Sequence, residues 1–340
     1  MLQFISDWAF GKFGLVGAIV LFVVGFIALI KGGDWFVDGA VGVAKKFHIP
    51  ELLIGATVVS IGTTLPEVMV SATSAAKGIG DIAYGNAIGS VICNTALIAA
   101  LTVAIKPGTV NKKALALPVV CFFIAALFFT GVAVIFGRFS RTVGVIFLAM
   151  FVIYMIVSVI HALKHPDEAE TEEGGKERSV FACIVLLLIG AALIAVGANF
   201  LVDNGTTIAR TVGVPESVIA LTFVALGTSL PELVTAITSL IKGHGALSLG
   251  NVIGANIFNI VLVLGTAVTI KPFALPASGT LFGVNSSLVI DIPVMLLVMA
   301  ILTLPALAKG RLRRWQGILL LLIYAAFVAF QFAGQKLLGA

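Results

Sequence analysis

GTTLPE at residues 62–67 and GTSLPE at residues 227–232 are one phrase written twice, each inside a long apolar run. A second phrase follows at the same distance in both copies, GNAIGSVICN at 85–94 and GNVIGANIFN at 250–259. The offset of 165 residues also carries Asp38 onto Asp203, Pro50 onto Pro215 and Lys106-Pro107 onto Lys271-Pro272. A register kept without insertion from Asp38 to Pro107 marks an internal repeat, so the fold is read as two copies of one unit.

Working outward, apolar segments run roughly over 13–42, 50–77, 81–105, 114–136 and 141–163, then 180–204, 214–241, 246–270, 285–306 and 314–334. Of the 340 residues 60% are hydrophobic and 11% charged, outside the range of soluble domains. A bilayer core of ~30 Å takes about 20 helical residues to cross, which these runs supply. None alternates with period two, as the strands of a membrane barrel would. The expected fold is an all-α membrane protein of about ten transmembrane helices. The first five-helix repeat occupies 1–163, a linker 164–179 and the second repeat 180–340. The charged stretch LKHPDEAETEEGGKER at 163–178 has nothing in it that crosses or lines a membrane. Five is odd, so the repeats enter the membrane from opposite sides. That is the inverted plan of secondary transporters, whose substrate site lies near the midplane between the halves.

Glu67 and Glu232 lie deep in apolar helices, where a carboxylate costs several kcal/mol unless paired or hydrated. One such glutamate in a kinked helix, bonded to its neighbours, would be a structural feature only. Two at equivalent repeat positions are expected to meet and offer charge −2 to a cation. Pro66 and Pro231 each remove a helix hydrogen bond and free the carbonyl four residues back, at Gly62 and Gly227. Thr63 and Thr228, four residues before the glutamates, put hydroxyls on the same face. Asn86, Ser90 and Asn94 form one stripe at i, i+4 and i+8, repeated as Asn251, Ala255 and Asn259. Asn86 and Asn251, near helix ends, read equally well as interhelical glue. Gly85 and Gly89, like Gly250 and Gly254, have the small-xxx-small spacing that lets helices approach. Hard cations such as Ca2+ take six to eight oxygens, mixing carboxylate, carbonyl and hydroxyl.

These motifs resemble the cation/Ca2+ exchanger superfamily, in its prokaryotic Na+/Ca2+ exchanger branch related to the K+-dependent exchangers. GTTLPE and GTSLPE look like its two repeat signatures, GNAIGS and GNVIGA like their continuations, and DIPVM at 291–295 like a further signature of the branch. The resemblance covers most of 34–107, 199–272 and 291–295. It implies ion sites between the second, third, seventh and eighth helices. Glu67 and Glu232 would coordinate Ca2+ with backbone oxygens of Thr63 and Thr228. Thr64, Ser90 and Ser229 would contribute to flanking Na+ sites with the carbonyls of Ser60 and Ala225, and Asn94 and Asn259 would line the centre. Two positions depart from the family's pattern: its usual serine is Ala255 here, and its central aspartate is Asn259. The first removes a hydroxyl from one Na+ site; the second removes a titratable group.

The function expected is therefore a secondary active antiporter exchanging Ca2+ for Na+ across the cell (inner) membrane by alternating access. The alternatives are an H+/Ca2+ exchanger using the same glutamates as proton carriers, a cation channel and a non-transporting scaffold. No nucleophile–base arrangement, phosphate loop or zinc motif points to an enzyme, and no cofactor is implied beyond the transported ions. Cys93, Cys121 and Cys183 have neither disulfide nor metal-ligand spacing, and His48, His161, His165 and His244 show no metal spacing. Scattered basic residues exclude nucleic acid, and the bilayer is the only partner expected. Asp34, Asp38 and Asp203 read as solvated segment ends. The start of the chain lacks a signal peptide's basic region and cleavage site, so the first helix is expected to stay.

Loop charge sets the orientation. Lys45, Lys46, Lys106, Lys112, Lys113, Lys164, Lys176, Arg178, Lys242, Lys309, Arg311, Arg313 and Arg314 share one side. Lys12, Lys77, Arg138, Arg141, Arg210, Lys271 and Lys336 share the other. The richer side is cytoplasmic, which puts the linker inside and both termini outside.

Overall fold

The computed structural model describes residues 2–164, 179–213, 227–276, 280–281 and 284–337. A short helix α1 (Leu2–Phe13) is followed by α2 (Leu15–Phe47), α3 (Glu51–Ala76), α4 (Gly80–Ile105), α5 (Lys112–Phe136) and α6 (Arg141–Lys164). The second half holds α7 (Val180–Thr211), α8 (Leu230–Ile241), α9 (Gly245–Ile270), α10 (Ser287–Lys309) and α11 (Arg314–Leu337). Among the described residues nine helices are long and apolar enough to cross a membrane. The tenth span contains α8; its leading part, 214–226, lies outside the described residues. The architecture is two inverted five-helix repeats, α2–α6 and α7–α11.

Several boundaries differ from the sequence expectation. The helix α1 has no counterpart in that expectation, the first apolar run beginning near residue 13, and Gly14, at φ +58, separates it from α2. α2 carries on to Phe47 and closes at His48 in the left-handed region, so Asp34 and Asp38 sit within the helix rather than at a solvated end. Two small antiparallel pairs join loops: Arg138–Phe139 with Phe273–Ala274, and Thr280–Leu281 with Val284–Asn285.

Lipid tails are as apolar as leucine, so close packing and polar contacts hold spanning helices together. α2 and α7 meet along glycines. A methyl group on Gly32 would lie 2.9 Å from the Gly190 carbonyl oxygen, and one on Gly197 would lie 2.7 Å from that of Gly25. Gly25 and Gly32 are the repeat equivalents of Gly190 and Gly197, so each helix presents the same small-residue face to the other. α3 and α9 pack as closely: Gly55 faces the Leu247 carbonyl and Gly254 faces Ala56. The expected approach at Gly250 and Gly254 is thus present. At Gly85 and Gly89 it is not, since a methyl on either would meet nothing within 4 Å among the described residues.

α4 and α9 are the most enclosed spans, whereas α6 is largely lipid-facing. Phe122, Phe129, Phe147 and Phe258 fill the layer around the enclosed pair, with Phe129 stacked on Phe139 at 5.3 Å. Among the described residues four spans loosen into π-turns: Gly55–Val59 in α3, Ser287–Asp291 at the start of α10, Asn94–Ala99 in α4 and Asn259–Leu264 in α9. The last two begin at equivalent asparagines. π-turns are rare and recur at functional sites because they disturb the regular backbone ladder.

Of the expected linker 164–179, residues 165–178 lie outside the described residues, while Lys164 ends α6 and Ser179 caps α7 by accepting from the Ala182 amide at 3.2 Å. Repeat packing is made within the spans, so a Gly/Ser segment of equal length in its place should preserve ion flux. Complete loss of flux with normal expression would reveal a role for the linker.

Candidate cation site

The two glutamate motifs converge. Pro66 and Pro231 line one small cavity of about 10 Å3, room for a single water, together with Gly62, Thr63 and Phe36. Glu67 and Glu232 are fully buried, and their carboxylates lie within electrostatic reach of each other. Local sequence explains the placement. In α3 Pro66 stands inside a continuous helix, so its missing N–H leaves the Gly62 carbonyl without the usual donor. In the second repeat α8 starts at Leu230, with Pro231 in its first turn, where a missing N–H costs nothing. The expectation of a freed carbonyl therefore holds only for Gly62. Gly227 accepts from the Leu230 amide at 3.4 Å, because here the helix begins at the motif instead of running through it.

Several buried polar atoms on α3, α4, α8 and α9, the helices that carry the repeated motifs, have no hydrogen-bond partner among the described residues. Both oxygens of Glu67 and Glu232, both carboxamide atoms of Asn94 and Asn259, and the Thr64 hydroxyl lack any hydrogen-bond partner among the described residues. Their residues are all buried. Buried polar groups are nearly always paired, so unpaired oxygens on these four helices make them candidate ligands. Four carboxylate oxygens, two carboxamide oxygens and a hydroxyl match what a hard divalent cation takes. Among the described residues no group of three His, Cys, Asp or Glu side chains that could hold a metal ion occurs.

The other sequence candidates fall around this centre. Thr63 Oγ1 donates to Asn251 Oδ1 at 3.2 Å, and Ser60 Oγ lies 2.7 Å from the Gly55 carbonyl oxygen and 2.9 Å from that of Asn251. Ser60 thus ends the π-turn of α3 and ties it to α9. Thr63 and Thr64 hydroxyls lie near the Glu232 carboxylate without reaching hydrogen-bond geometry. Ser90 and Ser229 are buried, Thr228 is half-buried, and Ala255 is buried where Ser90 has its hydroxyl. Ala225 lies outside the described residues. Asn86 donates to the Glu67 carbonyl at 3.2 Å and to Ser71 at 2.9 Å, which makes it interhelical glue. Asp291 accepts from Gln331 of α11 at 3.0 Å. Asp34 and Asp38 are ion-paired with Lys242.

Sequence reasoning missed three buried polar residues. Thr235 and Ser239 continue the Glu232 face of α8 at i+3 and i+7, and both hydroxyls lack partners among the described residues. Helical periodicity alone would have found them. Asn256 donates to Thr95 Oγ1 at 2.7 Å and contacts Met299 Sδ at 3.2 Å. Its repeat equivalent is Val91, so a search for matched pairs passes over it.

Inverted repeats of spanning helices around a buried carboxylate pair define a membrane carrier for cations. The chain belongs to the Sodium/calcium exchanger protein family, whose pattern matches residues 17–160 and 182–333. It is 34% identical over 325 residues to a putative antiporter CaxA of Alkalimonas amylolytica, spanning 93% of this chain and 98% of that one. It is 29% identical over 354 residues to the sodium/calcium exchanger MaX1 of Methanosarcina acetivorans, spanning 92% and 98%. A solved structure of the sodium-calcium exchanger NCX_Mj, soaked with Na+ and Sr2+, superposes with a TM-score of 0.77. That match has 32% identity and covers 92% of this chain and 97% of the other.

Proposed function

We propose that the protein exchanges Ca2+ for Na+ across the cell (inner) membrane by alternating access, at a single midplane site between the repeats. The observation that carries this reading is the pair of buried, unpaired carboxylates of Glu67 and Glu232, within electrostatic reach of each other and with Thr63 and Thr64 beside Glu232. The two glutamates supply charge −2, which one Ca2+ balances. Thr63 and Thr228 add backbone oxygens. Thr64, Ser90 and Ser229, with the Ser60 and Ala225 carbonyls, serve the flanking Na+ positions. Coupling to Na+ rather than H+ is supported by the neutral ligands, because proton carriage needs no carboxamides beside the carboxylates.

Sidedness follows loop charge. The 106–112, 240–246 and 309–314 loops gather on one face, where Lys112 Nζ reaches the Ala308 carbonyl and Arg314 reaches that of Ile105. The 77–79, 137–141 and 270–274 segments gather on the other. The first face carries the lysine- and arginine-rich loops and is assigned to the cytoplasm, with both termini outside.

The test is 45Ca2+ uptake into proteoliposomes under separate Na+, K+ and pH gradients. Uptake should follow an outward Na+ gradient; uptake driven by pH alone would overturn the reading. K+ provides a second discriminator. A site with Asn94 and Asn259 offers −2, so Ca2+ with K+ would leave net positive charge buried at low dielectric. Replacing K+ with choline should leave wild-type flux unchanged, whereas Asn259→Asp should make flux respond to K+. Wild-type flux that collapses in choline would contradict the charge argument.

A further inference from the structure

The register that pairs the two glutamates also pairs charges outside the site. Asp38 of α2 corresponds to Asp203 of α7, and Lys242 at the end of α8 to Lys77 at the end of α3. On one face the first pair is made: Lys242 Nζ lies 2.7 Å from Asp38 Oδ1 and 3.4 Å from Asp34 Oδ1, and donates to the Asp34 carbonyl at 2.9 Å. Two residues on, His244 Nδ1 lies 2.8 Å from Glu51 Oε1 at the start of α3. The turn 242–244 is therefore fastened to both α2 and α3. On the opposite face Lys77 and Asp203, both described, form no ion pair with each other. Lys77 is exposed, and Asp203 lies within electrostatic reach of Asp7 in α1 instead.

The difference extends toward the ion site. Phe36, between the two aspartates of α2, is fully buried and lines the cavity with Thr63, Pro66 and Pro231. Its repeat equivalent Leu201 is only half-buried. Two halves related in sequence thus hold equivalent charges in different arrangements. In an inverted repeat, exchange of the two arrangements moves access from one side of the membrane to the other.

We propose that Asp38–Lys242 and Asp203–Lys77 are alternative latches that position α2 and α7 over the site. Each closes one face, only one is made at a time, and this structure is closed on the 242–244 face. The faces are not equally held. Asp34 has Asn199 as its counterpart and His244 has Ile79, so the second carboxylate and the histidine contact occur on one face only. The unloaded carrier therefore favours access from the Lys77 side. The inference rests on the alternating-access reading above.

The test uses the full chain in proteoliposomes with Cys93, Cys121 and Cys183 replaced by alanine. Asp38→Cys with Lys242→Cys, and Lys77→Cys with Asp203→Cys, are each oxidised to a disulfide. Each tether should stop 45Ca2+ exchange, and reduction should restore it, which separates a locked carrier from a misfolded one. Flux of the untethered variants reports separately on the exchanger reading. When all four cysteines are present, mass spectrometry should find either tether and never both in one molecule. Lys242→Ala should raise the rate of the Lys77→Cys/Asp203→Cys cross-link about two- to five-fold, the size of a partly exposed ion pair. The charge swap Asp38→Lys with Lys242→Asp should return it to the original rate. Both tethers in one molecule, exchange that persists through a tether, or a cross-linking rate indifferent to Lys242 would each overturn the proposal.

Discussion

Glu67→Gln and Glu232→Gln are each expected to abolish Ca2+ exchange while leaving the protein folded in the membrane. Each glutamate contributes half the charge of a site with no other acidic side chain among its orphaned groups. Removing one partner of a buried charge interaction costs about 3–5 kcal/mol, which is on the order of a thousandfold in affinity. Folding should survive because the change is nearly isosteric and removes one of two buried carboxylates that lie within electrostatic reach of each other. Glutamine also keeps one oxygen at the position, so the loss is one of charge and not of shape. The readout is 45Ca2+ flux beside a size-exclusion profile in detergent. Near wild-type exchange by either variant, in a monodisperse sample, would remove these residues from the site.

The second large effect concerns packing. Gly190→Val should lower thermal stability sharply and eliminate exchange. A Cβ at Gly190 would stand 2.5 Å from the Phe36 amide nitrogen and 2.7 Å from its Cα, both backbone atoms that cannot swing aside. α2 would have to move away from α7 as a body, breaking the contacts at Gly25, Gly32 and Gly197 with it. Overpacking a tight site costs about 1–3 kcal/mol where side chains can adjust, and a backbone clash leaves less room to adjust. Gly131→Ala is the control, since a methyl there meets nothing within 4 Å. A melting temperature for Gly190→Val equal to that of the control would show that the α2–α7 seam is looser than its geometry.

Much of this was legible in the sequence, and the repeat is the reason. An offset found from six residues carries the motif-bearing helices of one half onto those of the other, and an odd helix count then forces inversion. The glutamates stood out because an ionised group in an apolar helix is too costly to persist there by accident. The same offset pairs Gly25 with Gly190 and Gly32 with Gly197, so the seam between α2 and α7 was readable too, although the motif phrases drew attention elsewhere. Asp34 and Asp38 were misplaced for a physical reason. Hydropathy falls near residue 42, but the helix continues on packing and capping as far as Phe47. Composition therefore read an aspartate pair bonded to Lys242 as a frayed end. The π-turns at Asn94 and Asn259 left no mark, because one extra backbone residue per turn does not change an apolar pattern. Asn256 was hidden by the very symmetry that exposed its neighbours.

The central claim is that Glu67 and Glu232 build one site for which Ca2+ and Na+ compete. It is tested most directly by equilibrium binding of 45Ca2+ to the purified protein as Na+ is raised at constant ionic strength. One Ca2+ per chain should bind, Na+ should displace it completely, equal K+ should not, and either glutamine variant should bind none. Ca2+ that stays bound through the Na+ titration, or that binds undiminished when both glutamates are replaced, would contradict the account.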